Sequence, residues 1–221
     1  MIQTSAIIFD MDGVVADTEA LFLQAIDKVF NREFNITPTK DSPHWFDHVR
    51  GHRDDEIYAY LLQHYNLQSN LQTLTRKISE TYHRQLENHI NPMPGCLELI
   101  EKLKGDYRLA LATSSYRADA EIILRKFRIK EVFEVIITGD DIKKGKPDPE
   151  IFLLAAERLR LPPHDCLVIE DSENGVTAAK SAGMQCIAVT NGRNSNTDFS
   201  KANLVLNSLE DVYPYLTHQE C

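Results

Sequence analysis

Apolar residues fall along this chain in two different rhythms. The first run, Ala6-Ile7-Ile8-Phe9, is short, β-rich and unbroken, and it stops at a cluster of Asp and Gly. This is the pattern of a buried strand feeding a loop. Helical spacing then takes over, with Thr18, Leu21, Phe22, Ala25, Ile26, Val29 and Phe30 on one face. From there to about Asn91 the chain reads as entirely helical, with segments near Asp54–Tyr65 and Leu71–His89; the two prolines of Thr37–Pro43 break the pattern. Asn91-Pro92-Met93-Pro94-Gly95 is the clearest linker, a stiff extended crossing followed by a helix start. Beyond it the rhythm changes to alternating strands and helices. Strand-like runs are Tyr107–Ala112, Val135–Thr138, Cys166–Ile169, Gln185–Thr190 and Leu204–Leu206; helix-like segments are Arg117–Phe127, Pro149–Leu159 and Asn174–Ala182.

Alternating β and α units imply a parallel sheet covered on both faces. The first strand has no partner nearby in sequence, so it is expected to join that sheet across the helical stretch. The predicted architecture is α/β: a Rossmann-like parallel-sheet core from residues 1–16 and 92–221, with an all-α cap, residues 17–91, inserted between them. Repeats and low-complexity segments are absent, and the tail after Tyr215 is expected to fray.

Composition narrows the function classes. The 221 residues, 43% hydrophobic and 26% charged, are those of an ordinary globular protein, and no apolar run approaches the roughly 20 residues that span a bilayer. Met1-Ile2-Gln3-Thr4-Ser5 lacks the basic and apolar regions of a secretory signal, so a cytoplasmic protein is expected. The four cysteines, Cys96, Cys166, Cys186 and Cys221, form no metal-binding spacing, and Cys166 and Cys186 read as reduced core residues. A net charge of -9 opposes binding to nucleic acid or an acidic membrane. It also means that any phosphate site must be locally cationic against an acidic background. A monomer or weak homo-oligomer is expected.

In an open parallel sheet, ligands bind beyond the carboxyl ends of the strands. Asp10-Met11-Asp12-Gly13 follows the first strand and Thr113-Ser114-Ser115 the second; Lys144-Gly145-Lys146-Pro147-Asp148-Pro149 follows the third and Glu170-Asp171-Ser172 the fourth. Asp10 and Asp12 are two apart, so their side chains point the same way. Alone, the pair can equally be a turn with solvated aspartates. Crowded with Glu170 and Asp171, the carboxylates stay ionised only if a cation sits among them, and an all-oxygen set selects magnesium. Lys146, extended by the proline after it, can offset carboxylate and phosphate charge, or be a solvated surface lysine. Thr113 and Ser114 are either neutral donors to a phosphate or turn formers, and Ser172-Glu173-Asn174 can be no more than the cap of the next helix.

Four motifs in order resemble those of haloacid dehalogenase-superfamily phosphatases. Phe9-Asp10-Met11-Asp12-Gly13-Val14-Val15-Ala16-Asp17-Thr18-Glu19 is similar to the first and Leu111-Ala112-Thr113-Ser114-Ser115 to the second. Gly145-Lys146-Pro147-Asp148-Pro149-Glu150-Ile151-Phe152 is similar to the third and Ile169-Glu170-Asp171-Ser172-Glu173-Asn174-Gly175 to the fourth. The branch it most resembles contains β-phosphoglucomutase and sugar-phosphate phosphatases with a helical cap after the first motif. The resemblance implies that Asp10 is a nucleophile forming an aspartyl-phosphate and Asp12 the acid and then base beside it. It implies phosphate binding by Thr113 and Lys146, and magnesium held by Asp10, the Asp12 carbonyl and Asp171, with Glu170 supporting the metal directly or through water. An acid/base needs a proton near neutral pH, which neighbouring carboxylates favour.

In the cap, the resembled mutases carry a histidine twelve residues after the nucleophile, where this chain has Phe22. Phe22 also fits the apolar face of its helix. The segment Val49-Arg50-Gly51-His52-Arg53-Asp54 resembles the family's substrate loop, with the arginine slightly closer to the glycine than in the mutase. Gly51 and Arg53 are therefore candidate substrate contacts; Arg53 can equally be a surface partner of Asp54 or Asp55, and His52 has the same ambiguity. Lys77 lies near where a cap lysine would serve, in an uncertain register. The expected function is a phosphatase for a small phosphorylated metabolite, such as a sugar phosphate; the alternatives are a sugar-phosphate mutase and a non-catalytic binding protein of the same family.

Overall fold

The computed structural model describes residues 4–42, 44–46, 49, 51–192 and 197–217. Met1–Gln3, Pro43, Arg50 and Cys221, which enter the sequence reading, lie outside them.

Six strands, β1 (Ala6–Phe9), β2 (Arg108–Ala112), β3 (Val135–Ile137), β4 (Cys166–Glu170), β5 (Gln185–Val189) and β6 (Leu204–Leu206), form one parallel sheet in the order β3-β2-β1-β4-β5-β6. The predicted crossover is present: β1 lies between β2 and β4, pairing Ile8 with Ala110 and with Val168. β1 is buried at every position, because alternate residues face opposite cores. Ile7 and Phe9 pack with Leu109, Leu111, Leu167 and Ile169 in one cluster, whereas Ala6 and Ile8 pack with Ala110 and Val168 in the other. The second cluster is completed by α7 (Glu150–Leu159) and α8 (Glu173–Ser181), through Phe152, Ala155, Ala178 and Ala179. The first includes α5 (Cys96–Leu103), α6 (Arg117–Phe127) and α9 (Val212–Thr217), and it runs on without interruption into the helices that follow β1.

Those helices are α1 (Glu19–Phe34), α2 (Pro38–Asp41), α3 (Asp54–His64) and α4 (Leu71–His89). α1 ends on Asn35, whose φ of 58° turns the chain left-handed, and α4 starts where the Asn70 side chain accepts from Thr73 N at 2.9 Å. The predicted break at Thr37–Pro43 instead contains the short helix α2, with Pro38 in its first turn. Proline is tolerated there because an N–H at that position has no intrahelical acceptor. The two crossings between sheet and helices run side by side: Asp17 N donates to Asn91 O and Met93 N to Val15 O, each at 3.0 Å. The C-terminal segment, expected to fray after Tyr215, is helical through Thr217.

Candidate active site

The site lies where β1, β2 and β4 end, on either side of the reversal in strand order. Asp10 leaves β1 with its N–H on the Ile169 carbonyl at 3.0 Å, which keeps it in register with the neighbouring strand as the chain begins to curl. The next residues coil tightly, with the N–H groups of Val15 and Ala16 donating to Met11 O at 2.8 and 2.9 Å. Gly13 sits in this coil at φ +79°, and a Cβ there would lie 2.6 Å from Asp171 Cγ. Backbone conformation and close approach both demand glycine.

Lys146 is the charge at the centre. Its side chain is 1% exposed, and Nζ lies 2.5 Å from Asp10 Oδ1 and 2.6 Å from Glu170 Oε1. Burial works against the ammonium, but Asp10 and Glu170 outweigh that and hold its pKa above the ordinary value. Burial also pushes the Asp10 carboxyl well up; Lys146 opposes the shift, and Glu170, Asp12 and Asp171 add to it. Of the two alternatives open for Lys146, the structure takes the buried one.

Glu170, fully buried, is committed on both oxygens. While Oε1 meets Lys146, Oε2 accepts from Asp171 N, Ser172 N and Ser172 Oγ, all at 2.9 Å. Ser172 in turn caps α8, accepting from Gly175 N at 3.0 Å. A Cβ on Gly175 would overlap the Glu170 carboxylate. Glu170 thus orients the lysine and shapes the turn that presents Asp171.

Asp12 faces the end of β2. Its Oδ2 accepts from Thr113 Oγ1 at 3.0 Å and Ser115 Oγ at 2.8 Å. Thr113 is wholly buried and also receives Ser115 N at 3.1 Å. Ser114 also lines the cleft and donates to Gly51 O at 2.9 Å, joining the end of β2 to the loop before α3.

Asp10, Glu170 and Asp171 bring carboxylate oxygens within 4.8 Å of one another. An all-oxygen group beside a loop that only glycine can follow fits a hard divalent cation. The Asp12 side chain is turned toward the hydroxyls and stands outside this group; any contribution from Asp12 to a metal would come from its main chain.

Over these residues lies a cleft of about 620 Å³, mouth included, with Asp10, Asp12, Ser115, Lys146 and Asp171 on the sheet side. Thr18, Phe22, Phe46, Gly51, His52, Asp54, Ile57 and Tyr82 line the helical side. Phe22 is packed against Phe46, Tyr58 and Tyr82, with ring centroids 6.2, 6.2 and 5.4 Å away, so it is both a core residue and part of the wall. His52 Nδ1 lies 3.1 Å from Val49 O and 3.2 Å from Asn174 Nδ2, bridging the loop before α3 to α8.

The family model for haloacid dehalogenase-like hydrolases matches residues 7–189. The chain belongs to that family. A phosphorylated carbohydrates phosphatase of Thermotoga maritima is 37% identical to this hydrolase over 82% of the chain and 83% of its own length. A β-phosphoglucomutase of Bacillus subtilis is 33% identical over 97% of the chain and 94% of its own length. Among solved structures, CbbY from Rhodobacter sphaeroides in complex with phosphate superposes with a TM-score of 0.83 at 30% identity, covering 96% of both chains.

Of the readings left open for the helical stretch, the geometry of this hydrolase favours pairing away from the cleft for Arg53 and Lys77. Arg53 does not line the cleft: its guanidinium donates to Ile142 O at 3.0 Å and Lys143 O at 3.3 Å and pairs with Asp55 at 3.2 Å. Two carbonyls and a neighbouring carboxylate draw it away from the cleft. Lys77 is likewise directed elsewhere, onto Glu33 of α1 at 2.5 Å. Conversely, Ser115 and Asp54 enter the site without having been singled out. Ser115 had a signal, being the third residue of a hydroxyl run at a strand end. Asp54 had none beyond its place in the loop, since which of two adjacent aspartates meets Arg53 is decided only by how α3 begins.

Proposed function

We propose that this hydrolase is a cytoplasmic, magnesium-dependent phosphatase of small phosphorylated metabolites, with sugar phosphates the preferred class. The observation that carries the reading is the buried Asp10–Lys146–Glu170 group beside Asp171, facing Asp12 across the floor of the cleft. A carboxylate held against an ammonium in a dry site is a nucleophile in position. Asp10 Oδ attacks phosphorus as the bond to the leaving oxygen breaks, and Asp12 gives that oxygen a proton. Water then attacks phosphorus, Asp12 takes a proton from it, and the bond to Asp10 breaks to release phosphate. Lys146 offsets charge on the transferring group, and Thr113 and Ser115 orient Asp12. Asp10, Asp171 and the Asp12 main chain, with Glu170 behind them, would hold magnesium, which would supply further charge neutralisation there.

Residues 17–91 are proposed to act as a cap on the core of residues 1–16 and 92–221, hinged at the paired crossings near Ala16–Asp17 and Asn91–Gly95. The support is that the cleft is lined from both sides, and that Ser114–Gly51 at its edge and Arg53–Ile142 outside it bond the two segments together. The names of the relatives favour a sugar phosphate, and Phe22 on the cleft wall favours water over a sugar hydroxyl as acceptor, because it supplies no proton-transfer group. Phosphate release from a panel of phosphorylated metabolites with magnesium is the test. Failure on every member, together with conversion of β-glucose 1-phosphate to the 6-phosphate, would make the chain a mutase.

A further inference from the structure

The helical side of the cleft carries a group that the chemistry above does not use. Asp54, the first residue of α3, is 5% exposed and lines the cleft. Its neighbour Asp55 takes the Arg53 guanidinium, and Asp119 of α6 takes His83 Nε2 at 2.7 Å. Asp12 has its two hydroxyls. Among the described residues, no hydrogen bond or ion pair reaches the Asp54 carboxylate. Burial, followed by repulsion from Asp119, Asp12 and Asp55, raises its pKa well above the ordinary range.

In the empty protein only water in the cleft can meet this carboxyl group, and a ligand that brings hydroxyl donors would take the place of that water. The same cleft is lined by Phe22, Phe46 and Tyr82, apolar surfaces suited to the C–H face of a sugar ring. Lys146 is the only lysine or arginine among the described lining residues, and its ammonium is already shared between Asp10 and Glu170. A second phosphate on the leaving group would bring acceptors rather than donors to Asp54 and, among the described lining residues, would find no cation beyond Lys146. We propose that Asp54 determines specificity: it receives hydroxyl donors of the leaving group and selects a polyol monophosphate over a bisphosphate. This rests on the phosphatase reading above.

The test compares kcat/KM for a hexose monophosphate, the matching bisphosphate and p-nitrophenyl phosphate, with magnesium, in the wild type, Asp54→Asn and Asp54→Ala. In Asp54→Ala the monophosphate value should fall by about 10- to 100-fold relative to p-nitrophenyl phosphate, the size of one charge-assisted hydrogen bond. In both variants the bisphosphate should gain roughly tenfold on the monophosphate, because alanine removes, and asparagine halves, the acceptor that hydroxyl donors satisfy and a phosphate does not. Ratios cancel any general loss of folded enzyme, and the isosteric Asp54→Asn supplies the second ratio if alanine prevents folding. Equal changes on all three substrates would mean a structural role and overturn the inference, as would a wild type that prefers the bisphosphate. A wild type that hydrolyses none of the three overturns the phosphatase reading and this inference together; one that hydrolyses them with ratios unmoved by substitution overturns the inference alone.

Discussion

Replacing Gly13 by alanine tests whether the loop after β1 is built around Asp171. Two costs arise from the geometry. At φ +79° an L side chain is strained, by about 1–2 kcal/mol. The new Cβ would also lie 2.6 Å from Asp171 Cγ, about 0.8 Å inside the 3.4 Å at which ordinary contact begins. The loop is held by its bonds to Met11 O, so the carboxylate is the part that yields. A metal ligand displaced by more than about 0.5 Å no longer holds productive geometry. Half-saturating magnesium in a phosphate-release assay should therefore rise by about 10- to 100-fold, the range seen when a metal site loses its support. Thermal unfolding should drop by only about 2–8 °C, given about 2–4 °C per kcal/mol for a chain of this size. A variant that keeps the wild-type magnesium requirement refutes the reasoning, whatever its stability.

Asp10→Asn should abolish turnover, by at least about 10⁴-fold, with the fold intact by circular dichroism; retained activity would exclude the covalent route. Lys146→Ala leaves two carboxylates facing each other in a buried site, and should cost about 3–5 kcal/mol, read as a fall of about 6–20 °C in Tm. That loss should be smaller at acidic pH, where the raised pKa of Asp10 lets it take a proton. His83, its pKa raised by the hydrogen bond to buried Asp119, stabilises the fold most below about pH 6.5, and this contribution is lost as pH rises through the raised value. Tm measured from pH 6 to 9 should therefore fall more in the wild type than in His83→Gln; parallel curves would show that the pair carries no linkage.

Much of this protein was legible before folding. Unbroken apolar runs against 3.6-residue spacing separate strands from helices, because a strand in a parallel sheet is buried on both faces while a helix is buried on one. Alternation after Asn91 specified parallel pairing, and the polar residues at the strand ends had nowhere to converge except one rim. That ground made the carboxylates and Lys146 candidates, with solvated alternatives still open, and the resemblance of four motifs singled them out. Local chemistry misled at Pro38, where a helix breaker in general is a helix starter at one position. Sequence also could not tell that Glu170 is saturated by a lysine and three turn donors, that Arg53 is consumed by Ile142 and Lys143 nearly ninety residues away, or that Asp55 rather than Asp54 meets that arginine. Such choices depend on which groups long-range packing brings within about 3 Å, and on which of them burial then deprives of water. A parallel sheet joined across the helical stretch, and the meeting of Asp10, Asp12, Lys146, Glu170 and Asp171 at its rim, follow from patterns along the chain; strand order and who partners whom in the cleft are settled only by the packing of helices on the sheet.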